Sequence, residues 1–426
     1  MIKVVVIGGG WSGCASALTA KYAGADVTIL EKTDMILGLG NVGGIMRNNG
    51  RYTAAEEIIN LGAGELLEIT DKASLHTKVN FPGHNHASLY DVTKVGPMMQ
   101  NLLISKDINI MYMARVVDVN KDKGKIKGVY LATGEYIEGD IFIETTGSTG
   151  PMGNCLRYGN GCSMCILRCP SFGPRVSISK RAGIEDLLGQ RGDESYGAFS
   201  GSCELCKESL SDEIVEKLNS EGVVILPVPK EDINMDKLKV KVCQQYALDE
   251  YAENIILLDT GYAKLMTTYY PIEKLRKVKG LERARYVDPY SGGKGNSIRY
   301  LSMAPRNNGM KVEGLDNLLC AGEKSGLFVG HTEAMATGSL AGHNSVRLAL
   351  GIPLLELPHN TAIGDIISFA NQMVKTPEGL KTRYTFAGAD YFQRMKDLNL
   401  YTTDNEKIKE RIERIGLLNI YKEKIV

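Results

Sequence analysis

Three glycines near the start of the chain have the spacing that a phosphate-binding turn needs. The run GGGWSG at 8–13 follows a short apolar, β-branched stretch and precedes a stretch of small, helix-forming residues. In such a strand-turn-helix unit Gly8 permits the tight turn, Gly10 lets the backbone approach a pyrophosphate, and Gly13 lets helix and strand pack closely. The N–H groups of the first helical turn would then bind the phosphates.

A carboxylate follows this turn at the distance expected in a dinucleotide site. The second predicted strand, 26–30, is followed by Glu31, about 20 residues beyond the glycine turn. There its carboxylate can accept hydrogen bonds from the hydroxyls of an adenosine ribose. An acid at this position disfavours the extra phosphate of NADP but does not distinguish FAD from NAD.

Two later segments favour FAD. One predicted strand ends in the Thr-Thr-Gly run 145–147, which resembles the strand-to-Thr-Gly element of flavoproteins with two dinucleotide-binding domains. Another apolar strand leads to Gly322 and Glu323, which precede a predicted helix at 332–350. In such flavoproteins the acid meets the ribityl hydroxyls, and the positive end of the helix faces the flavin pyrimidine ring.

These patterns predict an α/β fold with a Rossmann-like FAD-binding domain of the two-dinucleotide-binding-domain flavoprotein type, an inserted α+β domain and a short helical C-terminal tail. The expected boundaries are 1–150 plus 310–350 for the FAD domain, 151–309 for the insert with its cysteines, and 351–426 for the tail. The residues that we expect to contact FAD are Gly8, Gly10, Trp11, Ser12, Gly13, Glu31, Lys32, Gly147, Gly322, Glu323, Gly330 and Thr332.

Six of the nine cysteines form a cluster inside the predicted insert. Four of them make two Cys-x-x-Cys pairs, and the six together are Cys155, Cys162, Cys165, Cys169, Cys203 and Cys206. The spacing is compatible with a zinc site or with part of an iron–sulfur motif, and all six are then candidate ligands. Alternatively, Cys162 and Cys165 form a catalytic dithiol that exchanges electrons with the flavin, or the thiols are buried and inert.

His331 is the third catalytic candidate, beside Cys162 and Cys165. It directly precedes Thr332 at the predicted helix start beside the flavin, where an imidazole can donate to the flavin or orient a substrate. A packing role is equally compatible with this position.

The insert carries a helix pattern at 211–220, a strand pattern at 223–227 and a longer helix pattern at 235–253. The following segment, 264–311, is strongly basic and interleaved with tyrosines. It is either an ordinary solvated surface or a site for folate glutamates, another anionic substrate or RNA phosphates. At the far end of the chain, 404–426 has apolar residues at helical spacing, which indicates an amphipathic helix docked on the protein.

The whole-chain charge adds no support for a nucleic-acid partner. The 426 residues carry 50 basic and 50 acidic side chains, so the net charge is zero and tRNA binding requires a local patch. Neither an apolar run of about 18 residues nor a signal-peptide pattern is present, which predicts a cytoplasmic protein without a membrane partner. Because no second glycine fingerprint occurs, NAD(P)H would bind only transiently as an electron donor.

From 311 to about 371 the chain resembles the glucose-inhibited division protein A superfamily of tRNA-modifying flavoproteins. The run LLCAGE at 318–323, the run GHTEA at 330–334 and the run GSLAGHN at 338–344 carry the resemblance. The run LPHNTAIG at 357–364 is closest to the folate-dependent tRNA uracil-5-methyltransferase branch. That branch implies FAD, methylenetetrahydrofolate as the carbon donor and cysteines near the uracil.

The first functional cysteine of that branch follows the second strand, whereas this chain has no cysteine between Leu30 and Asn154. The leading hypothesis is therefore an FAD-dependent oxidoreductase or oxidase related to the tRNA-modifying flavoproteins, with a small-molecule electron donor or acceptor. The alternatives are a folate- and FAD-dependent tRNA methyltransferase whose nucleophile lies among the clustered cysteines, and a non-catalytic RNA-binding flavoprotein.

Overall fold

The computed structural model describes residues 1–147, 169–200, 203–239, 241–267, 270–287 and 297–426. The predictions on Cys155, Cys162 and Cys165 lie outside these ranges. The strands are β1 (Lys3–Ile7), β2 (Asp26–Leu30), β3 (Ile45–Met46), β4 (Ser74–Phe81), β5 (His84–Tyr90), β6 (Asn109–Met111), β7 (Val116–Asp122), β8 (Lys125–Leu131), β9 (Tyr136–Glu138), β10 (Ile141–Glu144), β11 (Leu187–Leu188), β12 (Ala198–Ser200), β13 (Cys203–Leu205), β14 (Val223–Pro227), β15 (Asn254–Asp259), β16 (Ala263–Leu265), β17 (Ser297–Arg299), β18 (Ser302–Met303) and β19 (Leu318–Cys320).

The α-helices vary from single turns to five turns. In chain order they are α1 (Trp11–Tyr22), α2 (Gly40–Gly43), α3 (Gly50–Asn60), α4 (Glu65–Lys72), α5 (Val92–Ser105), α6 (Cys169–Phe172), α7 (Ile178–Arg181), α8 (Asp212–Glu221), α9 (Asp236–Lys239), α10 (Glu250–Glu253), α11 (Ile272–Leu275), α12 (His331–Ala349), α13 (Ala362–Met373), α14 (Pro377–Lys381), α15 (Ala389–Asp397) and α16 (Asn405–Arg414). Within the described ranges, no helix combines the length and the apolar character that crossing a bilayer requires.

A five-stranded parallel sheet forms the centre of the molecule. Its strand order is β19-β10-β1-β2-β6, and each neighbouring pair runs parallel. The strands are almost continuously apolar, as in the buried sequences KVVVI of β1 and IFIE of β10, because both faces of such a sheet are covered. This sheet confirms the predicted Rossmann-like α/β fold. Its carboxyl edge carries the glycine turn, Glu31, the Thr-Thr-Gly run and Gly322.

Helices α1 and α12 cover one face of the sheet, and their backbones lie very close to each other. A Cβ atom at Gly338 or Gly342 of α12 would overlap backbone oxygens of Ser12 or Ser16 in α1. The two helices are joined by hydrogen bonds from Ser16 Oγ to the Gly338 carbonyl and from Thr19 Oγ1 to the Ser339 carbonyl, both at 2.9 Å. The close packing fixes where α12 begins relative to α1.

Antiparallel sheets make up the rest of the strand structure. Strands β7, β8 and β9 form a meander, strands β3, β5 and β4 form a second sheet, and strands β13, β16, β15 and β14 form a third. Strand β11 pairs with β18, and β12 pairs with β17. The second and third sheets share an apolar core in which Ile45 and Leu89 lie with Ile256 and Leu258.

The predicted helix at 211–220 and strand at 223–227 are confirmed as α8 and β14, but the longer helix predicted at 235–253 is wrong. The chain forms the short helices α9 and α10, with a 3₁₀ turn at Gln244–Tyr246 between them. Tyr246 stacks against Phe81 in the core shared by the two sheets. Tertiary packing therefore overrides the local helical pattern.

The C-terminal region is helical, as predicted, although its boundary at 351 stays a prediction. Three of its helices begin at residues whose side chains accept a hydrogen bond from the first helical turn, namely Thr361, Thr376 and Asp404. Ile408 and Ile412 of α16 are buried, whereas Leu418 beyond the helix is exposed. The last residues pack on the sheet domain, with the Ile425 N–H donating to the Ala23 carbonyl.

The close packing of α1 and α12 can be tested by substitution at Gly342. We expect Gly342→Val to lower the free energy of unfolding by about 1–3 kcal/mol or more, because the added carbons overlap the Ser16 carbonyl. Urea denaturation followed by circular dichroism measures the change. Gly192→Val is the matched control, since a Cβ there meets nothing within 4 Å. Equal stability of the two variants would contradict the described packing.

Candidate functional site

An elongated cleft runs along the carboxyl edge of the parallel sheet. It consists of two adjoining cavities that share Gly38, Leu39, Thr145, Thr146 and Arg175 in their walls. One cavity, the Glu31 part, includes the predicted residues Gly8, Glu31 and Lys32. The other, the His331 part, includes the predicted residues Gly10, Trp11, Ser12, Gly147, Gly322, Glu323, Gly330 and His331.

Two predicted residues do not line the cleft but lie beneath the residues that do. Gly13 lies against the carbonyl of Gly8, where a Cβ atom would overlap that oxygen, so the strand and α1 can pack closely. Thr332 is fully buried in the first turn of α12, and its hydroxyl has no hydrogen-bond partner among the described residues. The structure therefore brings the predicted cofactor residues to one cleft, with these two behind its lining, and their contact with FAD stays a prediction.

The glycine turn leaves the start of α1 open to the cleft. Gly8 has a φ of 109°, and a Cβ atom there would lie 2.6 Å from the Thr145 carbonyl oxygen, so the turn requires glycine. Gly10 precedes α1 without a side-chain cap, and a Cβ atom there would meet nothing within 4 Å. Backbone N–H groups at such a helix start can bind an anion.

Glu31 is held in a fixed orientation at the other end of the cleft. It is only 7% exposed, and its carboxylate accepts from the Gly9 N–H at 2.7 Å and from the N–H and hydroxyl of Thr33 at 2.9 Å. A carboxylate has about four acceptor positions, so capacity remains for a ligand hydroxyl. This geometry fits the ribose contact that the sequence predicts.

A second helix start faces the His331 part. Helix α12 begins at His331 after Gly330, which provides no side-chain cap. The aligned peptide dipoles of each helix place about half a positive elementary charge at its N-terminus. Because α1 and α12 both begin at the same cleft, the site favours a ligand with negative charge or strong acceptors at two separate points.

The ring of His331 packs in an aromatic corner at the cleft wall. Its centroid lies 5.7 Å from that of Trp11 and 6.3 Å from that of Tyr90. The Tyr90 hydroxyl donates to the Gly40 carbonyl at 2.7 Å and lies 3.4 Å from His331 Nδ1. The imidazole is therefore positioned by its neighbours at the place where the sequence predicts a ligand-directed role.

A buried ion pair secures the first turn of α12. Arg51 Nε lies 3.2 Å from each carboxylate oxygen of Glu333, and Glu333 also accepts from the Thr385 hydroxyl and the Phe386 N–H at 2.8 Å. Arg51 lines the His331 part. Removing one partner of such a pair leaves an uncompensated buried charge, which costs about 3–5 kcal/mol.

The segment 241–246 supplies another wall of the His331 part, with Lys241, Cys243, Gln245 and Tyr246. The Lys241 ammonium is buried and donates to the carbonyls of Tyr246 at 3.3 Å and Met266 at 3.0 Å. Burial lowers the pKa of Lys241 to about 8, and the electrostatic interaction with Cys243 partly opposes this shift. The sequence does not reveal this wall, because its pattern at 235–253 is typical of a helix.

Arg175 is another lining residue that the sequence does not reveal. It lies in the wall of both parts, where the two cavities meet. The segment that follows it is fixed by Glu144, whose carboxylate accepts from the N–H groups of Ile178 at 2.7 Å and Ser179 at 2.9 Å. A single arginine after Gly-Pro gives no local signal, so only the fold could identify it.

The metal prediction finds no support in the described part of the chain. Cys169, Cys203 and Cys206 are described, and no group of three or more His, Cys, Asp or Glu residues in the described ranges could hold a metal ion. The prediction for Cys155, Cys162 and Cys165, as ligands or as a dithiol, concerns residues outside the described ranges and stays a prediction.

The buried ammonium of Lys241 predicts a specific pH dependence of stability. Its pKa is about 8 in the folded chain and 10.5 for a solvated lysine, so between these values the unfolded chain binds more protons and stability rises with pH. We expect the free energy of unfolding to rise by about 1 kcal/mol per pH unit more in the wild type than in Lys241→Met over this range. Urea denaturation at several pH values measures both slopes, and parallel slopes would refute the buried charge.

Comparison with known proteins identifies relatives along most of the chain. A family model described as "Glucose inhibited division protein A" matches residues 3–255 and 252–353. The tRNA uridine 5-carboxymethylaminomethyl modification enzyme MnmG of Clostridium botulinum strain Hall is 25% identical over 395 residues, which cover 80% of this chain and 61% of that protein. The enzyme of that name from Alkaliphilus metalliredigens is 25% identical over 404 residues, with the same coverage of 80% and 61%.

The fold agrees with a solved structure. GidA of Aquifex aeolicus, in its form II crystal, superimposes with a TM-score of 0.65 at 15% identity and covers 97% of this chain and 76% of that one. The chain spans about 61% of the length of the curated relatives described above. The two segments matched by the family model together extend from residue 3 to residue 353. The chain therefore belongs to the glucose inhibited division protein A family.

Proposed function

We propose that this chain is an FAD-dependent oxidoreductase that acts on tRNA. The observation that carries the proposal is the cleft itself, in which two helix starts without side-chain caps and a fixed carboxylate lie along one continuous groove. This combination suits an elongated dinucleotide with an anionic centre and an electron-rich ring.

The lining residues indicate how FAD would lie in the cleft. Glu31 would accept from the adenosine ribose, the N–H groups at the start of α1 would bind the pyrophosphate together with Arg175, and the ring system would occupy the His331 part. There the positive start of α12 would favour negative charge on the ring. When bound, FAD supplies hydride or electron transfer.

His331 is the residue that we propose for positioning or proton donation at the ring end of the cleft. It stands at the first position of α12, and its orientation is restricted by Trp11 and Tyr90. The electron donor, whether NAD(P)H, folate or another small molecule, stays a prediction from the sequence.

The names of the relatives described above refer to a tRNA uridine, and they support tRNA as the substrate.

A basic patch on this chain is the surface to which we propose that tRNA binds. In the segment 272–287 the apolar residues Leu275, Val278, Leu281 and Ala284 are buried in the third-sheet core. Six basic side chains on either side of these apolar residues are exposed, namely Lys274, Arg276, Lys277, Lys279, Arg283 and Arg285.

Two of the basic residues in the predicted segment 264–311 are buried and do not belong to the exposed surface. Lys264 is buried and pairs with Glu204 at 3.2 Å, and Arg306 is buried with its guanidinium bonded to backbone carbonyls. These two residues are therefore structural cations. The exposed patch at 274–285 remains as the surface to which RNA phosphates would bind.

A substitution at Gly10 can test FAD binding without disturbing the fold. Its backbone is extended and a Cβ atom there meets nothing, so Gly10→Val is compatible with the fold but projects into the cleft. We expect this variant to keep the wild-type stability and to bind FAD at least tenfold more weakly, a change of about 1.4 kcal/mol. Flavin fluorescence titration measures the affinity, and Gly192→Val is the control. Unchanged affinity in Gly10→Val would place FAD elsewhere or nowhere.

The RNA proposal is tested by reversing charge in the exposed patch. We expect Lys277→Glu with Arg283→Glu to weaken tRNA binding by tenfold or more at low salt and to reduce the slope of log Kobs against log salt by about 1–2. Filter binding across a salt series measures both quantities. The control is Lys409→Glu with Arg414→Glu, an equal charge change at exposed positions of α16. Identical slopes in the two variants would exclude this patch as the RNA surface.

A further inference from the structure

The 241–246 wall carries two polar side chains whose hydrogen-bonding capacity the described residues do not fill. We infer that Gln245 and Lys241 form a recognition site for an imide edge, the C=O, N–H, C=O sequence found on one side of a pyrimidine-type ring. The inference rests on the proposed cofactor cleft and names the ring chemistry that its His331 part would bind.

Gln245 presents a buried amide that has no protein partner for its oxygen. The side chain lines the cleft and is 4% exposed, and its Oε1 accepts no hydrogen bond from the described residues. Leaving a buried acceptor unsatisfied costs about 1–3 kcal/mol. A ligand that donates to Oε1 would remove this cost, so the amide indicates a ligand with an N–H or O–H group.

The backbone of Gln245 is held in place. His84 Nε2 lies 3.1 Å from the Gln245 carbonyl oxygen, and Asn48 Nδ2 lies 2.9 Å from His84 Nδ1. Burial, with the charge of Arg51 as a smaller cause, lowers the pKa of His84 to about 3, so the ring is neutral. A neutral ring that accepts from Asn48 donates to Gln245. The amide is thus presented from a rigid support and loses little conformational entropy on binding.

Lys241 adds a donor in the wall of the same cavity. An ammonium group has three N–H donors, and two of them go to the Tyr246 and Met266 carbonyls. The ammonium also lies 4.8 Å from the centroid of the Tyr251 ring, and its third N–H has no hydrogen-bond acceptor among the described residues. The buried carboxylates nearby are already paired, Glu333 with Arg51 and Glu204 with Lys264. Among the described residues no carboxylate forms an ion pair with Lys241, so the wall favours a ligand oxygen that carries negative charge or can accumulate it.

Only some ligand groups satisfy both residues at once. A carboxylate would bind Lys241 but would face the Gln245 oxygen with a second acceptor, whereas an amine would satisfy Gln245 but repel Lys241. An imide edge offers an N–H to the amide oxygen and a carbonyl oxygen to the ammonium. The match holds in either orientation of the Gln245 amide, because its NH2 group can donate to the other carbonyl.

Two rings with this chemistry could occupy the wall. The flavin itself has an imide in its pyrimidine ring, and so does a uracil base bound beside the flavin. Methylation of the imide nitrogen, N3 in both rings, removes the N–H and leaves the rest of the ring unchanged. The preference for N–H over N–CH3 in each ligand therefore shows which ring the wall binds.

The experiment compares dissociation constants for four probes on the full chain. FAD and 3-methyl-FAD are titrated into protein freed of cofactor, and uridine 5′-monophosphate and its 3-methyl derivative are titrated with and without FAD. We expect the wild type to bind the N–H form at least tenfold more tightly in one of the two pairs, as for one buried hydrogen bond of about 1.4 kcal/mol. A preference within the FAD pair identifies the flavin, and a preference within the uridine pair identifies a substrate base.

Gln245→Leu should reduce that preference to about twofold or less. Leucine fills a similar volume, so a purely steric exclusion of the methyl group would persist in this variant. The matched control is Gln244→Leu, because the Gln244 amide oxygen already accepts from the Arg383 N–H at 3.2 Å. This neighbouring substitution should keep the wild-type preference.

The outcomes separate this inference from the proposed function. If FAD binds and both probe pairs bind the wild type equally well, the imide site is refuted while FAD binding stands. If Gln245→Leu retains the full preference, the site is likewise refuted. If FAD does not bind at all, the proposed function fails, and the uridine pair measured without FAD decides the imide site alone.

Discussion

The close approach of α1 and α12 is the constraint on which the candidate site depends. Small residues at the contact, Gly338 and Gly342 on one helix and Ser16 on the other, let the backbones meet and exchange hydrogen bonds. Both helices then begin at the same edge of the parallel sheet, with their positive ends directed toward one cleft. Both partial charges are positive, so each of them stabilises negative charge on a ligand in the cleft. The packing of apolar helix faces thereby creates an electrostatic preference at the cleft.

Two buried ion pairs balance part of the charge around the His331 part of the cleft. Arg51 and Glu333 neutralise each other and hold the start of α12, while Lys264 and Glu204 do the same where the third sheet meets the segment around Val42. Burial raises the pKa of Glu204, and the neighbouring Lys264 ammonium offsets only part of this rise. Buried pairs of this kind add little to stability but are costly to break. In the described chain Lys241 lacks such a carboxylate, which is why the wall around it discriminates between ligands.

The sequence predicted those parts of the site that are determined by local structure. Gly8, Gly10 and Glu31 belong to a strand-turn-helix-strand unit whose geometry is set by residues close in sequence. His331 is likewise placed locally, because it begins the helix that follows strand β19. The wall at 241–246 could not be predicted, because a helical pattern there is broken by packing of Tyr246 against β4, far away in sequence. The roles of Lys264 and Arg306 were missed for a related reason, since a sequence shows charge but not burial.

The two parts of the cleft are supported by different elements of the fold. They therefore differ in how well they tolerate substitutions. The Glu31 part is formed by turns of the parallel sheet, so a change in its shape alters the main core and is costly. The 241–246 wall rests in part on the separate core between the second and third sheets, where Tyr246 packs with Ile256 and Met266, while Val242 packs in the main core. Substitutions in that wall change which ring edge is bound and leave the helix starts and the carboxylate in place. The fold thus constrains the part of the cleft that we propose for the dinucleotide, whereas a few side chains of the 241–246 wall would determine ring recognition.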